Sequence, residues 1–437
     1  MALFANQSAG DTTDFGSTGA VTPITLPPPP PTDAAGRRAV IDHSDYLLEL
    51  VEPQPEFGIK LFDALGLTLC ESIRGDGNVP DTDLAEVDGY AVRAVDTEYA
   101  DEDLQVVGKL VTLSVVPRTP VLQKGTAVRV ATGEPLPLGA DAVVPLAETE
   151  ERVNDSIALL QVKHSGDWVR GVGADVTDRE IFAHPGEEIT GTLLGVLSAA
   201  GFDRVLARPA ARVAVLSFDG INELDVVADS DRRGRHLRSA CSFLISSALR
   251  ADKATVWRTD VTTFEPADMR ELFDSELVRS DIIIATSAIG IAALRDEMSR
   301  VGAADFCQVA MEPGSDQAFA LIGERKVPVF LLPADPMAAL CSYLLFVRPV
   351  LRKLMGVLPH RLQPQLGFTT ADMHSEAGVF ELCPVKLRQA GGRLLATQCG
   401  RSRLATLADL AQADAMMALP EDKTEIAAGE PVQIWQF

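Results

Sequence analysis

Three short runs constrain this chain more than any other feature: 213–216 (Val-Ala-Val-Leu), 281–286 (Asp-Ile-Ile-Ile-Ala-Thr) and 329–332 (Val-Phe-Leu-Leu). Each is nearly wholly apolar and rich in β-branched or bulky residues, which suits a strand buried on both faces. Helical patterns at 239–249 and 266–277 separate the first two. Strand and helix in alternation predict βαβ units and a parallel sheet covered on both sides. Asp335-Pro336 then opens a long helix as N-cap and first-turn proline, running towards Met355 and ending at Gly356.

The rest of the chain follows other rules. At roughly 150 residues per domain, 437 residues predict about three domains. Residues 1–36 are dominated by Gly, Ser, Thr and Asp and close on five prolines at 27–31. That composition predicts a disordered segment or a polyproline spacer, with a peptide ligand for an aromatic groove as the functional alternative. Helical patterns follow at 45–51, stopped by Pro53, and at 59–72. From about 79 to 190, short apolar runs between Gly and Pro predict strands at 104–107, 128–131, 142–144 and 157–162. A helix at 192–200 stops at Gly201. Residues 358–437 return to short strands, 380–385 and 431–435, around one helical stretch at 404–413.

Composition excludes several functions. The formal charge of −23 would repel a nucleic-acid backbone. No run approaches the roughly 18 apolar residues of a membrane span, and the first residues lack a basic and then apolar leader, so a soluble cytoplasmic protein is expected. Six cysteines and six histidines are scattered, without C-x-x-C or H-x-x-x-H spacing. Cys241, Cys307 and Cys341 lie among apolar residues and are expected to be buried, reduced thiols.

Five blocks carry a resemblance. They are Val79-Pro80 with Asp83 leading to Val87-Asp88-Gly89-Tyr90-Ala91-Val92, then 129–144 around Thr132-Gly133-Glu134-Pro135, and Arg170-Gly171-Val172-Gly173-Ala174-Asp175. Leu332-Pro333-Ala334-Asp335-Pro336 and Gly429-Glu430-Pro431-Val432 complete the series. In this order they resemble the MoeA (molybdopterin molybdotransferase) and gephyrin E-domain family, from about residue 38 to the end. The resemblance implies a multi-domain α/β plus β fold in an elongated homodimer. Its parts are a helical linker domain (37–78 and 169–207), a β domain (79–168), a molybdopterin-binding-like three-layer α/β domain (208–357) and a C-terminal β-barrel (358–437). The family reaction inserts molybdate into adenylylated molybdopterin with divalent-metal help.

The family's anion-holding chemistry is altered here. A pterin phosphate, a diphosphate bridge and molybdate need glycine-rich turns, helix N-termini and lysines. Where the family has Thr-Gly-Gly-x-Ser-x-Gly-Asp, this chain has Thr286-Ser287-Ala288-Ile289-Gly290-Ile291-Ala292-Ala293. The Lys-Pro-Gly-Lys loop has become Glu312-Pro313-Gly314-Ser315-Asp316, and Pro-Gly-Asn-Pro has become Pro333-Ala334-Asp335-Pro336. A unit charge about 6 Å from a phosphate is worth roughly 2–3 kcal/mol at an effective dielectric of 20. Lysine to glutamate therefore moves the balance by roughly 5 kcal/mol, over three orders of magnitude in affinity. By resemblance, Thr132, Thr286, Pro313, Gly314, Pro333 and Pro336 would line a degenerate cofactor pocket. Asp88, Asp175 and Glu223 match the family's acidic positions, with Asp175 and Glu223 as candidate metal ligands. The plainer reading of each carboxylate is a turn or capping residue.

The resemblance implies two functions. One is a catalytically degenerate, dimeric scaffold without cofactor that binds a partner peptide, as gephyrin does between its α/β and C-terminal domains. It resembles the gephyrin-like actinobacterial paralogues associated with the cell-division protein FtsZ, whose acidic C-terminal tail is the expected peptide, with recruitment to the division site. The groove is expected around Pro359. The basic run Arg232-Arg233-Gly234-Arg235 reads either as a solvated loop ahead of a helix or as a patch for an acidic peptide. The alternative function is an active molybdopterin molybdotransferase using Mg and adenylylated molybdopterin.

Overall fold

A computed structural model describes residues 24–98, 104–109, 121–152, 155–218, 229–261, 265–287, 291–400 and 405–437. The chain divides into two compact units, residues 55–208 and residues 1–54 with 209–437.

In the second of these, α1 (Val40–Glu49) precedes a doubly covered sheet. That sheet is built from β1 (Arg212–Ser217), α2 (Asp229–Ala251), β2 (Thr255–Asp260), α3 (Pro266–Arg279), β3 (Ile282–Thr286), α4 (Ile291–Val301), β4 (Gly302–Val309), β5 (Asp316–Ile322) and β6 (Val327–Leu332). The strand order is Arg37–Arg38, β4, β5, β6, β3, β1, β2. The neighbours β2, β1, β3 and β6 are parallel, while β5 runs antiparallel to β4 and β6. Alternate residues enter opposite cores, as the pleat requires. Val213, Val215, Ile282, Ile284, Phe330 and Leu332 pack towards α1 and α2, and Ala214, Leu216, Ile283, Ala285, Val329 and Leu331 towards α3 and α4. The apolar runs of the sequence are continuous because each strand serves both layers.

Asp335 caps α5 (Pro336–Ser342), its carboxylate accepting from the Ala338 amide at 2.9 Å. The expected single helix is interrupted by a π-helical turn at Tyr343–Val347 before α6 (Arg348–Leu354). Pro349 explains part of this, since it has no N–H to offer the Leu345 carbonyl. The hydroxyl of Ser44 on α1 donates to that carbonyl instead, at 3.1 Å. Gly356, at φ +70, ends the helix as expected.

The C-terminal strands Phe380–Ala390, Arg393–Gln398, Gln365–Thr369, Pro431–Gln436 and Ala415–Leu419 are bonded in that order. Pairing of the last with the first closes a barrel. Gly391 and Gly392, both at positive φ, make its two-residue hairpin turn. Strand Met311–Glu312 pairs with Phe380 and Glu381 and fastens the barrel to the α/β layer.

The unit 55–208 carries a six-stranded sheet, in the order Thr149–Arg152, Ser156–Leu159, Leu104–Lys109, Thr126–Val130, Gly89–Val92, Ala142–Pro145. A Cβ on Gly89 would lie 2.2 Å from the Val144 carbonyl oxygen, so only glycine fits that crossing. One expectation fails nearby. The helix expected at 59–72 is strand Phe57–Lys60, a 3-10 turn at Leu61–Asp63 and strand Thr68–Leu69. Both strands pair with Arg204–Arg208, and Gly66 at φ +77 breaks any helix between them. Cross-strand pairing overrides the helical spacing, so the described residues of this region are mainly β, with one α-helix at Gly191–Ala199. Another concerns the start of the chain, expected to be disordered or a polyproline spacer: Ile24 and Leu26 pack on the core and Tyr46 donates to the Pro27 carbonyl at 3.2 Å, so residues 24–27 are anchored, while residues 1–23 lie outside the described residues.

Candidate functional site

The altered motifs do assemble a pocket. About 340 Å³ is enclosed by Glu312, Pro313, Gly314, Ser315 and Asp316 on one side and Pro333, Asp335, Met337, Ala338 and Ala405 on the other. Gly314 holds φ +100, and a Cβ there would meet the Ala338 carbonyl oxygen at 3.0 Å. The loop therefore keeps its glycine even though its lysines are gone. Gln317 on β5, which sequence reasoning missed, donates to the Gly314 carbonyl at 2.6 Å and to Ser342 Oγ at 2.8 Å. Among the described residues, three carboxylates line this pocket and no lysine, arginine or histidine does. That described donor set does not fit a phosphate-bearing pterin.

Thr286 ends β3 opposite Ser217 on β1 and Leu332 on β6, at the carboxyl edge of the sheet. It is buried, and its hydroxyl has no hydrogen-bond partner among the described residues. Pro336 is buried as the first residue of α5. The strand order reverses between β1 and β3, where open α/β sheets bind ligands. The segments that follow those strands, with Glu223 and Ala288, lie outside the described residues.

Asp88 and Asp175 each have a protein partner in the unit 55–208. Asp88 accepts from the Thr132 amide at 2.8 Å and its hydroxyl at 2.9 Å, bonds that hold the carboxyl below its usual range. Thr132 is thus committed to a turn rather than presented to a ligand. Asp175 is ion-paired with Arg170. Asp88 thus acts as a turn residue, and one oxygen of Asp175 is engaged by Arg170.

Among the described residues, one other group has metal-ligand geometry. His43, Asp305 and Cys307 bring their ligand atoms within 4.8 Å of one another. Arg38, however, donates to both Asp305 oxygens, at 2.5 and 2.8 Å, which leaves the carboxylate engaged. Burial pushes the Cys307 thiol up to about 12. Cys241 and Cys341 are buried as expected, Cys307 is half-buried, and all six cysteines are free thiols.

A further concavity lies where α1, the π turn, α6 and the barrel meet. This groove of about 570 Å³ is walled by Ile41, Leu344, Leu345, Pro349, Phe380 and Trp435. Arg361, on its rim, is ion-paired with Asp45 and donates to Ser44 Oγ at 3.0 Å. Residues 360–363 line the groove directly. Pro359 sits one residue before them, its carbonyl held by Arg352 at 2.9 Å, so it buttresses the wall rather than forming it. His360 is pushed down by burial, against a weaker opposing pull from the Val357 carbonyl. Arg232, Arg233 and Arg235 fall inside α2, not in a loop ahead of it. Their side chains lie outside the described set. Among the described residues, no helix is long and apolar enough to cross a membrane.

Comparison with known proteins fits this architecture. Residues 38–201 match the MoeA N-terminal region (domain I and II), and residues 368–437 match the MoeA C-terminal region (domain IV). Molybdopterin molybdenumtransferase 1 of Mycobacterium tuberculosis is 31% identical over 409 residues, covering 88% of this chain and 95% of its own length. Molybdopterin molybdenumtransferase of Bacillus subtilis is 26% identical, covering 86% and 88%. The molybdopterin biosynthesis moeA protein of Pyrococcus horikoshii OT3 superposes with a TM-score of 0.71 at 21% identity, over 92% of this chain and all of its own.

Proposed function

This chain belongs to the MoeA family, and from that premise we propose that it has given up molybdate insertion and serves as a dimeric scaffold for a partner peptide. The proposed peptide is the C-terminal tail of FtsZ, and the setting is the cytoplasmic face of bacterial cell division.

One observation carries the proposal: the pocket that should hold phosphate and molybdate presents Glu312, Asp316 and Asp335 with no cation among the described residues. The lysine-to-glutamate exchange at 312 reverses a contribution of roughly 2–3 kcal/mol at about 6 Å, and the second lysine position, now Ser315, offers no charge. Solvent at the pocket mouth reduces this repulsion without changing its sign. The groove supplies what the pocket lacks. It has apolar walls for anchoring side chains and a mixed rim, with His360, Arg361 paired to Asp45, and the acids Glu421 and Asp422.

A second reading is an active molybdopterin molybdenumtransferase, and the names of the curated relatives favour it. Adenylylated molybdopterin would be its substrate and Mg its metal. Because the carboxylate-lined pocket does not fit that anion, we derive no catalytic step from it.

The test is calorimetric titration of the full chain with the FtsZ tail peptide at low and high salt. Binding that weakens as salt rises is expected, since arginine contacts to acidic flanks are screened. No heat at high micromolar peptide would contradict the proposed partner. Ile41→Asp, at a half-exposed position in the groove, should reduce the affinity at least tenfold.

A further inference from the structure

The proline run at 27–31 takes part in neither the acidic pocket nor the groove. Proline fixes its own φ at about −65° and keeps the residue before it extended, so five in succession form a left-handed polyproline helix. Both ends of the run are held. On one side Ile24 and Leu26 pack on the core, and the Tyr46 hydroxyl donates to the Pro27 carbonyl at 3.2 Å. On the other, Asp33 accepts from the Ala35 amide at 2.9 Å, the Arg37 amide at 2.8 Å and Arg37 Nε at 3.0 Å. Arg37 and Arg38 then pair with Gln308 and Val309 of β4. Between these points Pro28, Pro29 and Pro31 are exposed and Pro30 is half-buried.

A polyproline helix has three residues per turn, so Pro28 and Pro31 share one ridge and Pro27 and Pro30 another. The ridge of Pro28 and Pro31 faces solvent, while Pro30 and the Pro27 carbonyl face the protein. Proline has a carbonyl but no N–H, so the run offers ring carbon and acceptors and no donor. That excludes pairing with a strand edge, which needs both in alternation. The run has no charge either, so an anionic lipid surface has nothing to hold. What complements it is a set of aromatic rings that also donate, through tryptophan N–H and tyrosine O–H. The protein already makes that contact on the inner side, where Tyr46 meets Pro27.

We infer that residues 28–31 are a docking site for a second protein, a domain whose groove is lined by tryptophan and tyrosine. The rings of Pro28 and Pro31 seat between the aromatic side chains, and carbonyls of the run accept from them. The anchors at Tyr46 and Asp33 hold the run in its bound form before the partner arrives, which reduces the ordering cost of association. The site lies apart from the groove lining and does not rest on the peptide-binding reading above.

The probe is a purified WW domain, selected for binding a free polyproline peptide, and calorimetry reads its affinity. The full chain is compared with the free peptide of residues 24–38. The full chain is expected to bind at least fivefold more tightly, the gain that pre-organisation supplies. Pro28→Ala combined with Pro31→Ala should weaken binding to the full chain at least tenfold, with urea midpoints checking that the variant folds. Tyr46→Phe, which frees the Pro27 carbonyl, should lose part of the gain over the peptide while the proline ridge still binds. No binding to the full chain, affinity no better than the peptide's, or a double variant as good as the parent overturns the docking site. Light scattering tests the other occupant. A lower mass for the double variant would mean that the run joins two copies of this chain, and would overturn the proposal too.

Discussion

Gln317 Nε2 lies 2.6 Å from the carbonyl oxygen of Gly314 and 2.8 Å from Ser342 Oγ, so one buried amide ties the acidic loop to the helix behind it. Ser342 passes the restraint on, donating to the Ala338 carbonyl at 2.9 Å. The loop has kept its scaffold while its charge has reversed. Gln317→Leu leaves the Gly314 carbonyl without its donor, and a loss of about 1–3 kcal/mol is expected. Urea unfolding checks this as a lower midpoint with unchanged slope.

Because that scaffold persists, charge alone should restore anion binding. Glu312→Lys combined with Asp316→Lys is expected to tighten inorganic phosphate binding at least tenfold at low salt. The gain should fade towards about 1 M salt, where the Debye length is roughly 3 Å. Equilibrium dialysis reads it directly. A double variant as indifferent to phosphate as the parent would mean that the loop no longer aims its side chains at the pocket.

His43 sets an acid limit on stability. Burial, then the Arg38 charge, pushes it down to about 4 from an ordinary 6.5. Between those values the unfolded chain binds the proton and the folded chain does not, so stability rises with pH across this window and falls as pH drops. The contribution is about 3 kcal/mol, fully present above pH 6.5 and fully lost only near pH 4. His43→Gln should flatten the pH dependence of the urea midpoint in that window. An unchanged slope would contradict the assignment.

Phe57, Phe62 and Leu65 are all more than half exposed in the unit 55–208, Phe62 at 94%. The helix Gly191–Ala199 is almost wholly apolar, yet Leu197 is its one buried residue. Apolar surface of this kind is expected to be covered by a second copy of the chain. Light scattering at low micromolar concentration should give about twice 46.7 kDa, and Phe62→Asp should lower it. A monomeric parent chain contradicts the dimeric scaffold and its enzymatic alternative alike.

The central sheet was legible in the sequence because β1, β3 and β6 bury both faces, which writes continuous apolar runs into the chain. β4 and β5 were not. Gly302–Val309 mixes Asp305 and Gln308 with apolar residues, and its partners are set by antiparallel pairing rather than by composition. The segment 59–72 misled because its apolar spacing suits a helix, while Arg204–Arg208, far along the chain, claims it as strand. The acidic pocket was readable because its residues sit in two short contiguous motifs. The groove was readable only as a location near Pro359. Ser44, Leu345 and Arg361 converge from distant segments, and no local pattern announces that a serine will satisfy a carbonyl orphaned by Pro349.

The claim that this family member no longer inserts molybdate is tested most directly by supplying the purified chain with adenylylated molybdopterin, molybdate and Mg, and measuring release of the adenylate. The acidic pocket predicts no release above the protein-free control, because Glu312, Asp316 and Asp335 repel the anion that must bind there. Turnover comparable to that of a family enzyme with both lysines, assayed alongside, would contradict the account.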